Sequence, residues 1–181
     1  LLFGVQTGVV GTVLNLPAII SSSLAIALLP SIAAMKENVE MQKQRICTAF
    51  KYLWLVLLPM VLGIMAIARP LYIVIYPNVE YHILQYAVNL TLFGGISAIL
   101  LAVMQFLITI LQARGKLIYM MNFQILGGLL KLFVVYKFCA VPEINVYGLI
   151  LGNILLSSVV IIGSLVELGN LVELSFFNLV L

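Results

Sequence analysis

The residue with the clearest chemical potential in this sequence is Lys131, because its charged side chain lies within a long apolar segment. Gln124 precedes it by seven positions, so the two side chains share one face of an α-helix. An ammonium group in such a segment could neutralise a phosphate, a sugar acid or a peptide carboxylate. The long lysine stem could instead carry the charge outward to the membrane surface, and this alternative role stays open.

A second polar face belongs to the first apolar segment. Asn15 and Ser22 fall on one side at helical spacing, together with the small residues Gly8 and Ala18. Such a face is typical of close helix packing in lipid, since small side chains let two backbones approach. It would also suit a hydrated cavity in which Asn15 and Ser22 contact a polar substrate. The candidate substrate-binding residues are therefore Lys131, Gln124, Asn15 and Ser22.

Other kinds of chemistry have little support in the composition. The chain contains no Asp, two Cys and one His, so it offers neither a metal-ligand cluster nor a hydrolytic triad. We therefore predict that it is not an enzyme and that it needs no metal and no cofactor. The formal net charge of +3 is also too small and too scattered for a nucleic-acid-binding face.

The composition indicates whether water or lipid surrounds these residues. Of the 181 residues, 64% are hydrophobic and 8% are charged, and the mean hydropathy is +1.24. Soluble domains average about 45–50% apolar and about 25% charged residues. Because the charged residues are too few to cover a water-exposed surface, the sequence indicates an integral membrane protein. Soluble enzymes and disordered tails are excluded.

Five charge-poor segments are long enough to cross the bilayer core, which takes about 20 helical residues. They are 9–29, 47–68, 83–111, 117–139 and 146–168. A β-barrel would alternate apolar and polar residues, whereas these segments are apolar at nearly every position. We predict an all-α fold, a polytopic transmembrane helical bundle that forms a single membrane domain over 1–181. The third segment, about 43 Å long as a helix, must tilt, protrude or bend at its Gly94–Gly95 pair.

The cations are distributed unevenly between the connections. Placing the 36–46 loop in the cytoplasm leaves only Arg69 and Lys137 on the other side, as the positive-inside rule favours. Cys47 then lies near the inner face and Cys139 near the outer face. Because the chain does not begin with Met and its first 35 residues are uncharged, we interpret it as a segment that follows an earlier span. The cytoplasmic cations are Lys36, Lys43, Arg45, Lys51, Arg114 and Lys116.

Two further features have structural interpretations. Tyr52, Trp54, Tyr72 and Tyr76 fit the aromatic belts of a membrane protein. Residues 89–91 (Asn-Leu-Thr) form a glycosylation sequon, but it lies inside a predicted span and we interpret it as incidental.

Several short motifs resemble those of prokaryotic polysaccharide flippases. Residues 15–17 (NLP) and 23–32 (SLAIALLPSI) resemble the "NLP…SLATALVP-I" stretch of that family, and 111–116 (LQARGK) resembles its "LQGxGK" loop. Lys131 falls where members often carry a lysine, and 145–148 (NVYG) is similar to the "INxYG" that opens the next span. The resemblance is closest to the stage V sporulation protein B and O-antigen flippase branch of the MATE-like superfamily.

The resemblance implies a transporter of two six-helix lobes around a central cavity, with alternating access. Its substrate would be a polyprenyl-diphosphate-linked saccharide or peptidoglycan precursor, moved from the inner to the outer leaflet of a prokaryotic plasma membrane. This chain would be most of the second lobe, with the N-terminal lobe of the same protein and the lipid bilayer as its partners. The peptidoglycan-precursor branch is expected to carry cavity arginines, and 9–29 contains none.

Two other functions stay open. A cation-coupled drug or metabolite exporter of the same fold usually needs buried carboxylates, whereas the predicted spans contain only Glu167, at an edge. A non-transporting membrane scaffold or assembly protein would need no binding site at all.

Overall fold

The computed structural model describes residues 8, 10–34, 39–75, 81–138 and 147–169. These residues form five helices and no strand: α1 (Gly11–Ala34), α2 (Val39–Ile75), α3 (Tyr81–Ala113), α4 (Leu117–Phe138) and α5 (Tyr147–Gly169). Each helix contains a segment long and apolar enough to cross a membrane. The predicted all-α bundle with five spans is confirmed.

The second helix is longer than its apolar segment. It begins at Val39, inside the predicted 36–46 loop, and it continues past Pro70 to Ile75. The predicted connection between the first two spans is therefore helical from Val39 onward, where Met, Gln and Arg residues have good helix propensity and extend the helix beyond the apolar part. Residues 36–38 lie outside the described part of the chain. At about 55 Å, α2 is much longer than a bilayer core of roughly 30 Å.

The third helix is the centre of the bundle. α1, α2 and α5 pack along α3, whereas α4 packs mainly on α5. The side chain of Leu14 on α1 contacts Gly94, and Sδ of Met65 on α2 lies 2.6 Å from the position that a Cβ of Gly95 would take. The glycine pair thus gives two neighbouring helices close access to α3. The helix is continuous through both glycines.

Contacts along the helices show that successive helices run in opposite directions. α1 is parallel to α3, whereas α2 is antiparallel to α3 and α5 is antiparallel to α4. One end of the bundle, here named the turn end, holds the α3–α4 turn at 114–116; the opposite end, the far end, holds the start of α3. The pairs that fix the directions are Leu14–Gly94, Ser21–Ala102, Phe50–Phe106, Tyr72–Thr91, Gly127–Leu156 and Lys131–Gly152.

One predicted interfacial aromatic residue belongs to the core instead. Tyr72 is fully buried, and its hydroxyl oxygen lies 2.6 Å from the Thr91 hydroxyl in a hydrogen bond between α2 and α3. Its assignment to an aromatic belt is therefore wrong, because a buried phenol needs a partner and Thr91 supplies one. Tyr52, by contrast, is exposed, and Tyr76 lies outside the residues that the structure describes.

The outer surface of the bundle is apolar. Large hydrophobic side chains are exposed along every helix, and α4 has the most exposed surface, with Ile118 and Leu132 among its outward-facing residues. Contiguous apolar surface of this extent is unfavourable in water. In a bilayer the same side chains contact lipid, in agreement with an integral membrane protein.

Candidate functional site

Lys131 lies part of the way along α4, with its stem packed against α5. Its Cγ is 3.1 Å from the position that a Cβ would take at Gly152, so the glycine makes room for the lysine stem. The side chain is half-buried, and no carboxylate of the described residues is within ion-pair distance. Since Leu117 begins α4 at the turn end, Lys131 lies about 21 Å along the helix from that end.

The polar face that was predicted on α4 is divided in the structure. Gly127 is buried, and the space where its Cβ would lie is 3.3 Å from the Leu156 carbonyl oxygen on α5. Gln124, on the preceding turns of the same helix, is exposed. The Lys131 stem and Gly127 therefore belong to the α4–α5 interface, while Gln124 is free to meet a ligand or a further helix.

The small-residue face of α1 is not the side that packs. Asn15 is exposed, Gly8 has open space where a Cβ would be, and the half-buried Ser22 donates a hydrogen bond to the Ile19 carbonyl, 2.8 Å away. α1 packs on α3 through the other face, from which Ser21 donates a 2.6 Å hydrogen bond to a backbone carbonyl of α3. The interpretation of this face as a helix seam is therefore wrong within the described bundle.

The physical reason is that Gly94 of α3 leaves space for a bulky side chain of α1. Leu14 fits against Gly94, so the bulky apolar face of α1 can pack closely and the polar face is left outward. Asn15 and Ser22 are consequently placed where a polar substrate could contact them. α1 and α4 share no extended interface, so the structure does not bring these two residues together with Gln124 and Lys131.

The turn end carries a cluster of charges. Nζ of Lys116 lies 2.9 Å from Oε1 of Glu167, and this ion pair joins the start of α4 to the end of α5. Nη1 of Arg114 is buried and has no hydrogen-bond partner among the described residues. Burial lowers the pKa of the Arg114 guanidinium, and the nearby Glu167 carboxylate opposes that shift. Glu167 is thus occupied by a structural contact.

The turn that carries this cluster has a defined geometry. Gly115 has a positive φ of 77°, the Lys116 amide donates to the Leu111 carbonyl, and the Gly115 amide donates to the Gln112 carbonyl. This pair of hydrogen bonds is a Schellman motif, which ends α3 and reverses the chain. The "LQARGK" sequence therefore has a structural role as a tight helix–helix connection.

Sequence reasoning missed a cavity of mixed polar and apolar lining at the far end. Its volume is about 160 Å³, and it lies between α2 and the first turns of α3. A cavity between two helices depends on their relative placement, which no single segment reveals. The one available signal was the row of polar residues at helical spacing on α3. The residues that line the cavity are Arg69, Tyr81, Leu84, Gln85, Val88 and Asn89.

Comparisons with known proteins give no relative for this chain. No family model matches it, and neither a curated protein nor a solved structure shows a significant match. Within the described residues, no group of three or more His, Cys, Asp or Glu side chains could hold a metal ion. The assignment to the class of multi-pass membrane proteins therefore depends on the five helices themselves.

Proposed function

We propose that this chain is part of a transporter that moves a polyprenyl-diphosphate-linked saccharide or peptidoglycan precursor from the inner to the outer leaflet by alternating access. The observation that carries the proposal is the half-buried Lys131, which lies within a span and has no carboxylate partner among the described residues. A lysine within a membrane span is costly, by up to about 2.5–3.5 kcal/mol at the helix centre on insertion scales. An anionic substrate headgroup would offset that cost.

The other candidate residues suit the remainder of such a substrate. Gln124 and Asn15 are exposed carboxamides, which can donate and accept hydrogen bonds, and sugar hydroxyls require both. Ser22 keeps acceptor capacity on its hydroxyl oxygen while it donates to its own helix. The polyprenyl chain would stay in the lipid, in contact with the apolar exterior of the bundle.

The proposed partner is the other lobe of the transporter, and the motif resemblance implies that it is the N-terminal lobe of the same protein. Asn15 on α1 and Gln124 on α4 lie on outward faces, so a second lobe could close a cavity over either face. Transport would take place in the plasma membrane of a prokaryote, with the turn end in the cytoplasm. The cations Arg45, Lys51, Arg114 and Lys116 all lie toward that end, as the positive-inside rule requires.

The structure gives less support to a cation-coupled exporter. Such a mechanism needs a carboxylate that can bind and release an ion within the membrane. Glu167, the one acidic residue that was available for this role, is held by Lys116 at a distance of 2.9 Å.

The proposal is tested with the gene product that contains this chain, reconstituted in vesicles with a fluorescent polyprenyl-diphosphate saccharide in both leaflets. An impermeant quencher destroys the outer-leaflet signal, and a flippase then delivers the protected pool to the quencher. We expect faster loss of the protected pool than in protein-free vesicles. Equal rates would contradict transport and would favour a scaffold or assembly protein.

A further inference from the structure

The cavity at the far end is lined by several polar side chains from two helices. Tyr81, Gln85 and Asn89 follow one another at i, i+4 and i+8, so their polar side chains form a row on one face of α3. Arg69 of α2 lines the same cavity, and no carboxylate belongs to a lining residue that the structure describes. The described part of the cavity wall therefore presents a cation and several hydrogen-bond donors.

The helices that enclose the cavity are held together firmly beside it. Toward the middle of α3, the buried hydroxyls of Tyr72 and Thr91 are hydrogen-bonded at 2.6 Å, and Thr91 also donates to the Ala87 carbonyl at 2.9 Å. Leu84, buried in the cavity wall, packs in the same part of the core. The polar walls are consequently attached to the packed interface between α2 and α3.

The position of the cavity along the bundle matches the headgroup level of a bilayer. From Ala113 at the turn end, the helical rise places Asn89 about 36 Å away and Tyr81 about 48 Å away. The hydrocarbon core is about 30 Å thick, and the bilayer with headgroups is about 40–45 Å thick. With the turn end at one interface, the cavity therefore lies at the headgroups of the opposite leaflet.

Phosphate is the group that this set of donors suits best. A guanidinium offers five N–H donors in a planar fork that pairs with phosphate oxygens, and carboxamide groups add donors from another direction. A phosphate oxygen only accepts hydrogen bonds, so the guanidinium and amide donors of the described wall suit it. We propose that Arg69, Gln85 and Asn89 form a binding site for a phosphate group at the far end of the bundle.

The site is independent of the proposed transport function, because it involves none of the residues assigned to the transported substrate. A phosphate group could reach it as the headgroup of an anionic phospholipid or as free phosphate. The two sources share the recognition chemistry and differ in whether acyl chains accompany the phosphate.

The site is tested by thermal unfolding of the intact gene product in detergent, with inorganic phosphate and with dioctanoyl phosphatidylglycerol as separate probes. A ligand that binds the folded state raises Tm with its concentration, and the titration gives an apparent Kd. We expect saturable stabilisation by at least one probe and an apparent Kd at least about tenfold weaker in Arg69→Gln, since a charge-assisted contact is lost. Asn89→Leu keeps the charge, and we expect it to weaken binding by a smaller factor.

Lys137→Gln is the matched control, because it removes an exposed cation near the same end without touching the cavity. Its apparent Kd should equal that of the unmodified protein. Stabilisation by both probes would assign the site to phosphate itself, and stabilisation by the phospholipid alone would assign it to a lipid headgroup.

Three results would overturn the proposal. The first is the absence of any rise in Tm with both probes. The second is an equal loss of binding in Arg69→Gln and Lys137→Gln. The third is a rise in Tm that the probes cause in Glu80→Gln but not in the unmodified protein. The last result would show that Arg69 pairs with the acidic residue that precedes Tyr81 in the sequence.

Discussion

Gly152 sets the position of the Lys131 side chain at the scale of single residues. The Cγ atom of Lys131 lies close to the space that a side chain at position 152 would occupy. A residue on α5 therefore determines where the stem of a charged side chain on α4 can lie. The sequence alone predicted Lys131 and Gln124 on one face but not that the lysine stem packs against a neighbouring helix. Pairing between helices depends on tertiary contacts, which hydrophobic periodicity does not contain.

Replacing Lys131 tests its proposed role in substrate transport. Loss of a charged hydrogen bond, about 1.5–3 kcal/mol, predicts transport roughly 10- to 150-fold slower in Lys131→Ala. We expect Lys131→Arg to retain most of the activity, and Lys137→Ala, at an exposed position, to behave as the unmodified protein. The measurement is transport of the fluorescent saccharide in vesicles. Normal transport by both Lys131 variants would show that the lysine snorkels to the surface instead.

The hydroxyl of Ser21 provides a residue-scale test of the α1–α3 contact. It donates a buried 2.6 Å hydrogen bond to the Ala102 carbonyl, whereas Ser23 bonds only within its own helix. We expect Ser21→Ala to lower the free energy of unfolding in detergent by about 0.5–2 kcal/mol, and Ser23→Ala to have a much smaller effect. Equal effects of the two substitutions would contradict the described packing of α1.

At the scale of helices, the placement of glycine decides which faces meet. A small-residue face on α1 suggested a seam, yet α1 packs on α3 through another face, from which Leu14 contacts Gly94 of α3. The rule that small residues permit close approach holds, but either partner can supply them. The sequence therefore predicts that close contacts exist without showing which helix provides the space.

The α4–α5 interface allows a matched comparison of two glycines. The ring of Phe123 occupies the space where a Cβ at Gly163 would lie, whereas Gly128 has nothing within contact distance. We expect Gly163→Ala to destabilise the bundle by about 1–3 kcal/mol through overpacking. Gly128→Ala should be neutral or slightly stabilising, because Ala favours helix. Unfolding in detergent measures both, and a Gly163→Ala protein as stable as Gly128→Ala would argue against this interface.

The α3–α4 turn depends on the left-handed conformation of Gly115, with φ at 77°. A Cβ in this conformation costs about 1–2 kcal/mol, so Gly115→Ala should lower the stability by a similar amount. Gly115→Asn should be milder, because Asn tolerates this conformation. The same unfolding measurement distinguishes the two. A Gly115→Ala variant that is no less stable than Gly115→Asn would mean that the turn adopts another geometry.

At the scale of the whole molecule, length and hydropathy were sufficient to predict five membrane-crossing helices, because each span must satisfy its backbone hydrogen bonds internally. They did not predict where the helices end outside the apolar part, and α2 begins inside the segment taken for a loop. They also did not predict the far-end cavity, since Arg69 and Asn89 belong to different helices. Contacts between helices are the information that the linear pattern lacks.

The orientation of the bundle in the membrane underlies the transport proposal and decides which leaflet holds the far-end cavity. The positive-inside rule favours the turn end in the cytoplasm, and that orientation would place the far-end cavity in the outer leaflet. Cys47, half-buried on α2, lies toward the turn end, one residue before the exposed Thr48. Cys139 follows α4 in sequence and lies outside the described residues.

Thiol labelling in intact cells with a membrane-impermeant maleimide measures this orientation directly. The probes are a Cys139→Ser protein, which keeps Cys47, and a cysteine-free protein that carries Thr48→Cys at the exposed position. We predict that both react only after the cells are permeabilised, whereas Cys47→Ser, which keeps Cys139, reacts without permeabilisation. Labelling of the Cys47 and Thr48→Cys proteins in intact cells would show that the bundle has the opposite orientation. It would contradict both the cytoplasmic position of the turn end and the outer-leaflet position of the cavity.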